Sequence, residues 1–309
     1  MEQSDKFDVA VILINYNSSE YTINCVNSIK KQTTEDINYK IVIVDNASEF
    51  TDYKKLKSIS KLESVEIIRS KVNLGYAAGN MFGIQFVRAK YYFFLNNDCV
   101  LLNDCISILS VFLNENSNAG MCSPQMYSED NNIVGSFDYF PSLFTKLFGI
   151  NSLKLIKAKN FHERKKQYFS PIKVDVISGS QIFIKGKLFR DIGGFDTTFF
   201  LYCEEEDISF KVKNAGYDTY LIPAAKNMHY GGGSTKRDFS IRKEYYISFL
   251  YFYRKHYGYL AMEIMKLILF LKFIRKSFSN LEDLKLAIFI IGGANFKNSL
   301  KHIQKIQEM

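Results

Sequence analysis

The chain has 309 residues, 47% hydrophobic and 23% charged, which is the make-up of a globular protein and not of a disordered one. Its 40 basic and 32 acidic residues give a net charge of +8, yet residues 1–235 are neutral and residues 236–309 carry the whole excess, with 14 basic against 6 acidic. A uniformly basic nucleic-acid binder is excluded, and a neutral domain followed by a basic tail module is expected.

The opening MEQSDKFDVAVILINYN has acids where a signal peptide needs bases, and its apolar run is only about six residues, so a cytoplasmic chain is expected. Residues 8–14 (Asp8 to Ile14) are almost continuously apolar and β-branched, the pattern of a buried parallel strand. Ile23, Val26 and Ile29 fall at helical spacing in 18–32, with Ser18 or Ser19 as N-cap. Strand 40–44, helix 50–62, strand 65–69, a turn at 73–75, helix 77–89 and strand 91–95 follow. This alternation predicts an α/β fold with a parallel sheet, in which ligands sit at the carboxyl ends of strands. Asn15-Tyr16-Asn17, Asp45-Asn46 and Asn96-Asn97-Asp98 all fall at such ends.

Residues 141–171 break the rhythm, carry the basic cluster 162–166, and are expected to form a mobile loop or an excursion over the active face. Residues 174–185 are strand-like around Ser178-Gly179-Ser180, 193–196 form a turn, and 205–215 are helical, closed by Gly216. A last strand is expected at 218–222, before the glycines 231–233. The five cysteines are odd in number and lack a C-x-x-C pair, which argues against a disulfide framework or structural zinc and suits a reducing compartment.

Residues 259–274 are strongly apolar but interrupted by Glu263, Lys266 and Lys272, and are shorter than the roughly 20 residues a spanning helix needs. Residues 281–292 repeat the pattern more weakly. Such basic amphipathic helices lie on anionic membrane surfaces, or else pack on the core or on a second subunit; the charge excess on these same helices favours a membrane over nucleic acid.

Three acidic sites carry the chemistry. Asp45, after a buried strand, either caps a helix or accepts a hydrogen bond from a nucleobase imide. Asn96-Asn97-Asp98 is either a polar turn or a site for a hard divalent cation, Mn²⁺ or Mg²⁺. Glu204-Glu205-Glu206-Asp207 either stabilises a helix start or supplies a general base, because crowded carboxylates raise one another's pKa; the aromatic flank FDTTFFLYC favours the base. His229 is either structural or completes a metal site with Asp98.

With these residues in place the chain resembles the family-2 glycosyltransferases of the GT-A fold, and among them the rhamnosyltransferase-like members that build bacterial surface polysaccharides. The resemblance covers about residues 8–256 and rests on VAVILINYNS, IVIVDNAS, NLGYAAGNMFGI, YYFFLNNDCVL, SGSQIFIKGKLFRDIGGFDTTFFLYCEEEDISFKVKNAGY and MHYGGGST, in that order. It implies a GT-A catalytic domain over 1–235, with a nucleotide-sugar half to about 100 and an acceptor half beyond, and a helical C-terminal region over 236–309.

The resemblance assigns Asn15, Tyr16 and Asn17 to the nucleotide pocket, Asp45 to the base imide, and Asn73, Leu74 and Gly75 to the base and ribose. It puts Asn97 and Asp98 at the D-x-D position, with Asp98 and His229 as metal ligands, and Ser234, Thr235 and Lys236 beside the diphosphate. Glu205 stands at the position of the base in the E-D-x-D motif, with Glu204 before it as a competitor and Asp207 completing the motif. Asn96 replaces the first acid of D-x-D, and Glu replaces the usual Asp at the base. The implied reaction is an inverting, metal-dependent transfer from a nucleotide-sugar, dTDP-rhamnose first and a UDP-hexose second. The implied acceptor is a lipid-linked saccharide at the inner face of the plasma membrane, with homodimerisation through the C-terminal helices as a further expectation. Two alternatives are a sugar-phosphate nucleotidyltransferase, which would need a glycine-rich first loop that Asn15-Tyr16-Asn17-Ser18 lacks, and a non-catalytic membrane-bound scaffold.

Overall fold

The structure, a computed structural model, describes residues 5–156, 161–231 and 238–307. The first half alternates as predicted: β1 (Phe7–Asn15), α1 (Ser19–Gln32), β2 (Tyr39–Asn46), α2 (Phe50–Leu56), β3 (Val65–Ser70), α3 (Gly75–Gly83) and β4 (Ala89–Leu95). These strands are mutually parallel in the order β3-β2-β1-β4. Then come β5 (Cys99–Leu101), α4 (Cys105–Glu115), β6 (Ala119–Tyr127), β7 (Phe137–Asp138), α5 (Leu143–Phe148), α6 (Leu153–Ile156), β8 (Ile172–Val174), β9 (Val176–Ile177), β10 (Gln181–Lys185), α7 (Gly186–Asp191), α8 (Glu204–Asn214) and β11 (Asp218–His229). α9 (Phe239–Ser277) and α10 (Leu281–Ile291) follow. β10 enters antiparallel between β4 and β6, and β11 lies beside β6, which makes a mixed sheet.

Alternation along the strands divides the core between the two faces of the sheet. Leu13, Ile43, Phe93 and Phe183 pack on Val26 and Ile29 of α1 and on Leu109 of α4. Ile12, Val44, Phe94 and Ile182 face the other way, in one core with Phe189 of α7, Ile208 of α8 and Phe252 of α9. The beginning of α9 thus belongs to the core of the sheet. In-register pairing sets Asn15 beside Asp45 and Asp45 beside Arg69, a polar row across three strand ends.

Several expected boundaries move, each for a physical reason. The helix expected at 77–89 ends at Gly83, a 3-10 turn follows, and Ala89 already opens β4. Gly83 lets α3 close on the sheet, because a Cβ there would stand 2.8 Å from Ile12 Cγ2. Helix 50–62 shortens to α2 and a 3-10 turn at Lys57–Ile59. Ser18 does not cap α1 through its side chain; Asp52 Oδ1 accepts from the Ser19 N–H instead, at 3.0 Å. The last strand runs on to His229 through an irregularity between Ile222 and Lys226, where Pro223 has no N–H for the ladder. Within 141–171, the described residues form α5, closed at its start by a Ser142–Thr145 capping box, and α6, and Phe161 stacks on Tyr139 with ring centroids 5.4 Å apart.

α9 is broken at Gly258, whose φ of +86° suits glycine alone. Beyond the break, Met265, Leu269 and Phe273 are buried, as are Leu286, Ala287 and Ile290 of α10, and the two helices pair. Among the described residues no helix is long and apolar enough to cross a membrane.

Candidate active site

The carboxyl ends of β1 to β4 meet in a buried polar network. The Asn15 amide donates to Asp45 Oδ1 at 3.1 Å, Ser48 Oγ at 3.0 Å and Asp52 Oδ2 at 3.0 Å, and its carbonyl accepts from Thr22 Oγ1 at 2.7 Å. Asn97 extends the network, donating to Ser18 Oγ at 2.7 Å and Thr22 Oγ1 at 2.8 Å. Arg69 Nε lies 3.3 Å from the fully buried Asp45 Oδ2. Burial pushes the Asp45 carboxyl upward, against the lowering by Ser48, Asn15 and Arg69. Asn15 is fully buried and serves as the hub beneath the pocket, where the sequence reading made it a lining residue.

Above this floor opens a cleft of about 390 Å³ lined by Tyr16, Asn46, Asn73, Gly75, Asn96 and Asn97, among others. The Asn46 side chain shapes one wall, donating to Asn73 Oδ1 at 2.9 Å and accepting from the Leu74 N–H at 2.9 Å. Gly75 has φ +75°, and a Cβ there would overlap the Phe200 carbonyl, so this position takes no side chain. Tyr76, beside it, donates its N–H to that carbonyl at 2.8 Å and its hydroxyl to the Gly179 carbonyl at 2.5 Å. Asn17 turns outward; its carbonyl accepts from the Glu49 N–H at 2.7 Å and fastens two loops together.

Asp98 and His229 come together although 131 residues separate them, with Nε2 3.0 Å from Oδ1. Antiparallel pairing of β5 with β11 sets His229 opposite Cys99. The Cys99 thiol also falls in this group, and burial pushes its pKa well up. A carboxylate and an imidazole that leave the remaining positions to phosphate and water fit Mn²⁺ or Mg²⁺.

Tyr202 and Cys203 both have positive φ, at 73° and 65°, a strained entry that aims α8. Glu205 and Glu206 line a cavity of about 640 Å³ together with Asp138, Lys154, His162 and Arg164, while Glu204 is buried. Burial pushes all three glutamates upward; the neighbouring Glu205 charge adds to this for Glu204 and Glu206. Gly179 packs on the Glu205 side chain, where a Cβ would meet Cδ at 3.4 Å. Asp207 departs from the cluster: its Oδ1 accepts from His256 Nε2 at 2.7 Å and Lys255 Nζ at 2.6 Å, which ties α8 to α9 and removes it from the cavity. Ser234, Thr235 and Lys236 lie outside the described residues.

The sequence reading missed Arg69, Ser48, Asp52 and Tyr76. Arg69 was legible only as a strand end, and its role depends on the β2–β3 register. Tyr76 stood inside the quoted NLGYAAGN stretch with nothing to tell that its hydroxyl reaches Gly179, 103 residues on.

The profile of Glycosyl transferase family 2 matches residues 10–192. Rhamnosyltransferase WbbL of Escherichia coli (strain K12) is 23% identical over 254 residues, 75% of this chain and 87% of that protein. dTDP-rhamnosyl transferase RfbF of Shigella flexneri is 24% identical over 226 residues, 72% of this chain and 69% of that one. Among solved structures, GalNAc-T7 with UDP, GalNAc and Mn²⁺ superposes with a TM-score of 0.56 at 17% identity; the match covers 72% of this chain but only 44% of that one. The mixed sheet is that of the GT-A glycosyltransferases.

Proposed function

The chain belongs to glycosyl transferase family 2, and from that premise we propose an inverting, metal-dependent transfer from a nucleotide-sugar to a saccharide acceptor in surface polysaccharide synthesis. The donor is dTDP-rhamnose or, second, a UDP-hexose; the two rhamnosyl-transferring relatives support the first. The observation that carries the reading is the link between cleft and cavity: Tyr76 lines the cleft, its hydroxyl holds the Gly179 carbonyl at 2.5 Å, and Gly179 packs on Glu205 in the cavity wall. In this reading the donor cleft and the acceptor cavity adjoin at this glycine.

In this mechanism the nucleoside diphosphate end lies in the cleft over Asn97 and Asp45, and the acceptor lies in the cavity. Glu205, the base, takes the proton of the attacking hydroxyl. The acceptor oxygen bonds to the anomeric carbon as the bond from that carbon to the phosphate oxygen breaks, and nucleoside diphosphate leaves with inversion. Asp98 and His229 hold the divalent ion, Mn²⁺ or Mg²⁺, and the bound ion supplies Lewis-acid stabilisation of the charge on the diphosphate. Asp207 positions α8, and Glu204 backs Glu205 from within.

The acceptor is a lipid-linked saccharide. Leu260, Ile264, Leu267 and Leu271 form one exposed stripe along α9, with the basic Lys272, Arg275 and Lys276 close by, which supports docking on an anionic membrane at its inner face. The test is a donor panel read by release of nucleoside diphosphate, with Mn²⁺ or Mg²⁺ and with EDTA. Release with dTDP-rhamnose that EDTA abolishes supports the proposal; release that EDTA leaves intact removes the metal.

A further inference from the structure

We propose that residues 299–307 are the outer wall of the nucleoside end of the donor cleft, and that Glu244 positions this wall; the inference rests on the donor reading above. The segment returns from α10 across the cleft and is fastened at each step. Phe296 packs on Tyr251 with centroids 5.1 Å apart. Glu244, 1% exposed, accepts from Ser299 Oγ and from the Leu300 N–H, both at 2.8 Å. Lys301 Nζ donates to the Thr197 carbonyl at 2.7 Å, and the Gln307 N–H donates to the Lys71 carbonyl at 2.7 Å. Lys71 is two residues before Asn73, so the segment reaches the loop that forms the opposite wall.

The two faces of the segment differ. Leu300 and Gln304 are half-buried and line the cleft together with Ile241, facing Asn46, Asn73 and Asn97. His302, Ile303, Lys305 and Ile306 are exposed to solvent. An apolar side chain beside an amide, opposite a row of asparagines, suits a flat heterocycle with polar edges. A carboxylate buried to this depth with both oxygens committed to one segment fixes that segment, since leaving either donor unpaired is costly.

The experiment titrates the full chain with UDP and with dTDP, Mn²⁺ present, by calorimetry. It compares wild type with Gln304→Ala, Leu300→Ala, Glu244→Ala and Glu244→Gln. The first three should weaken binding about tenfold, a loss of about 1.4 kcal/mol, and raise the donor KM while kcat holds. Glu244→Gln should bind as wild type does, its carbonyl accepting from the Leu300 N–H and its amide donating to Ser299 Oγ. Amides of 299–307 should gain protection from hydrogen exchange when nucleotide is added. Unchanged or tighter binding in Gln304→Ala and Leu300→Ala, with unchanged exchange at 299–307, overturns the wall alone. A wild type that binds neither nucleotide overturns the donor reading and the wall with it.

Discussion

His256 Nε2 lies 2.7 Å from Asp207 Oδ1, joining the first turn of α8 to the turn of α9 just before its break at Gly258. The helix that presents Glu205 is therefore held in place from behind. Burial pushes the Asp207 carboxyl up, but the His256 and Lys255 hydrogen bonds outweigh it and hold the group below its usual range. Such a group contributes stability above its unfolded pKa of about 3.9, and that stability is lost as pH falls through the lower folded value. Asp207→Ala should cost about 2–3 kcal/mol at neutral pH, measured by urea unfolding, and the difference from wild type should shrink only in strong acid. An equal loss at every pH would contradict the assignment.

Glu205→Gln keeps the shape of the cavity and removes the base. Transfer should slow by about 10²–10⁴-fold, while nucleoside diphosphate binds as before. Full activity in this variant would exclude Glu205 and leave Glu204 and Glu206, which lines the same cavity, as candidates.

The pH profile follows from the same carboxyl. Burial raises the Glu205 pKa, and the base must be ionised, so activity should rise with pH through a value above the ordinary glutamate range of about 4.3. Plotting kcat/KM against pH gives the acid limb directly. A limb at the ordinary value would mean that a more exposed carboxylate does the work.

Asp98→Asn and His229→Ala should each abolish the stabilisation that Mn²⁺ with nucleoside diphosphate gives. At about 100 times Kd that stabilisation is about 2.7 kcal/mol in wild type, read as a rise in Tm that EDTA reverses. A variant that keeps the rise would place the ion elsewhere.

The exposed stripe of α9 predicts flotation with vesicles rich in anionic lipid. Replacing Leu260, Ile264, Leu267 and Leu271 by serine should abolish flotation and leave transfer to a soluble acceptor intact, since these side chains are away from the core. Point substitutions serve here better than removal of 259–309, which would also take away Leu300 and Gln304 from the cleft.

What the sequence could tell depended on range. Buried parallel strands are continuous apolar runs, so β1 to β4 and the polar residues at their ends were legible one at a time, whereas the break in α9 at Gly258 was not. Arg69 was not, because its pairing with Asp45 exists only once β2 and β3 are in register. The four acids 204–207 read as one cluster, yet a helix turns about 100° per residue, which sends Glu205 to the cavity and Asp207 to α9. Residues 299–307 have no periodicity, and their link to Glu244 spans more than fifty positions, so nothing local announced a part in the cleft.

The antiparallel insertion of β10 also sets an order of assembly. During synthesis β1, β2 and β3 can pair through short crossovers as they emerge, and β4 then joins the free side of β1. β4 then remains an open edge of Tyr91, Tyr92, Phe93 and Phe94 until residues 181–185 arrive and Gln181 pairs with Leu95. An apolar edge of this kind invites pairing with another chain. A fragment that stops before β10 should therefore aggregate even though its own helices and strands are complete, because the strand that seals the β4 edge lies more than eighty residues further on.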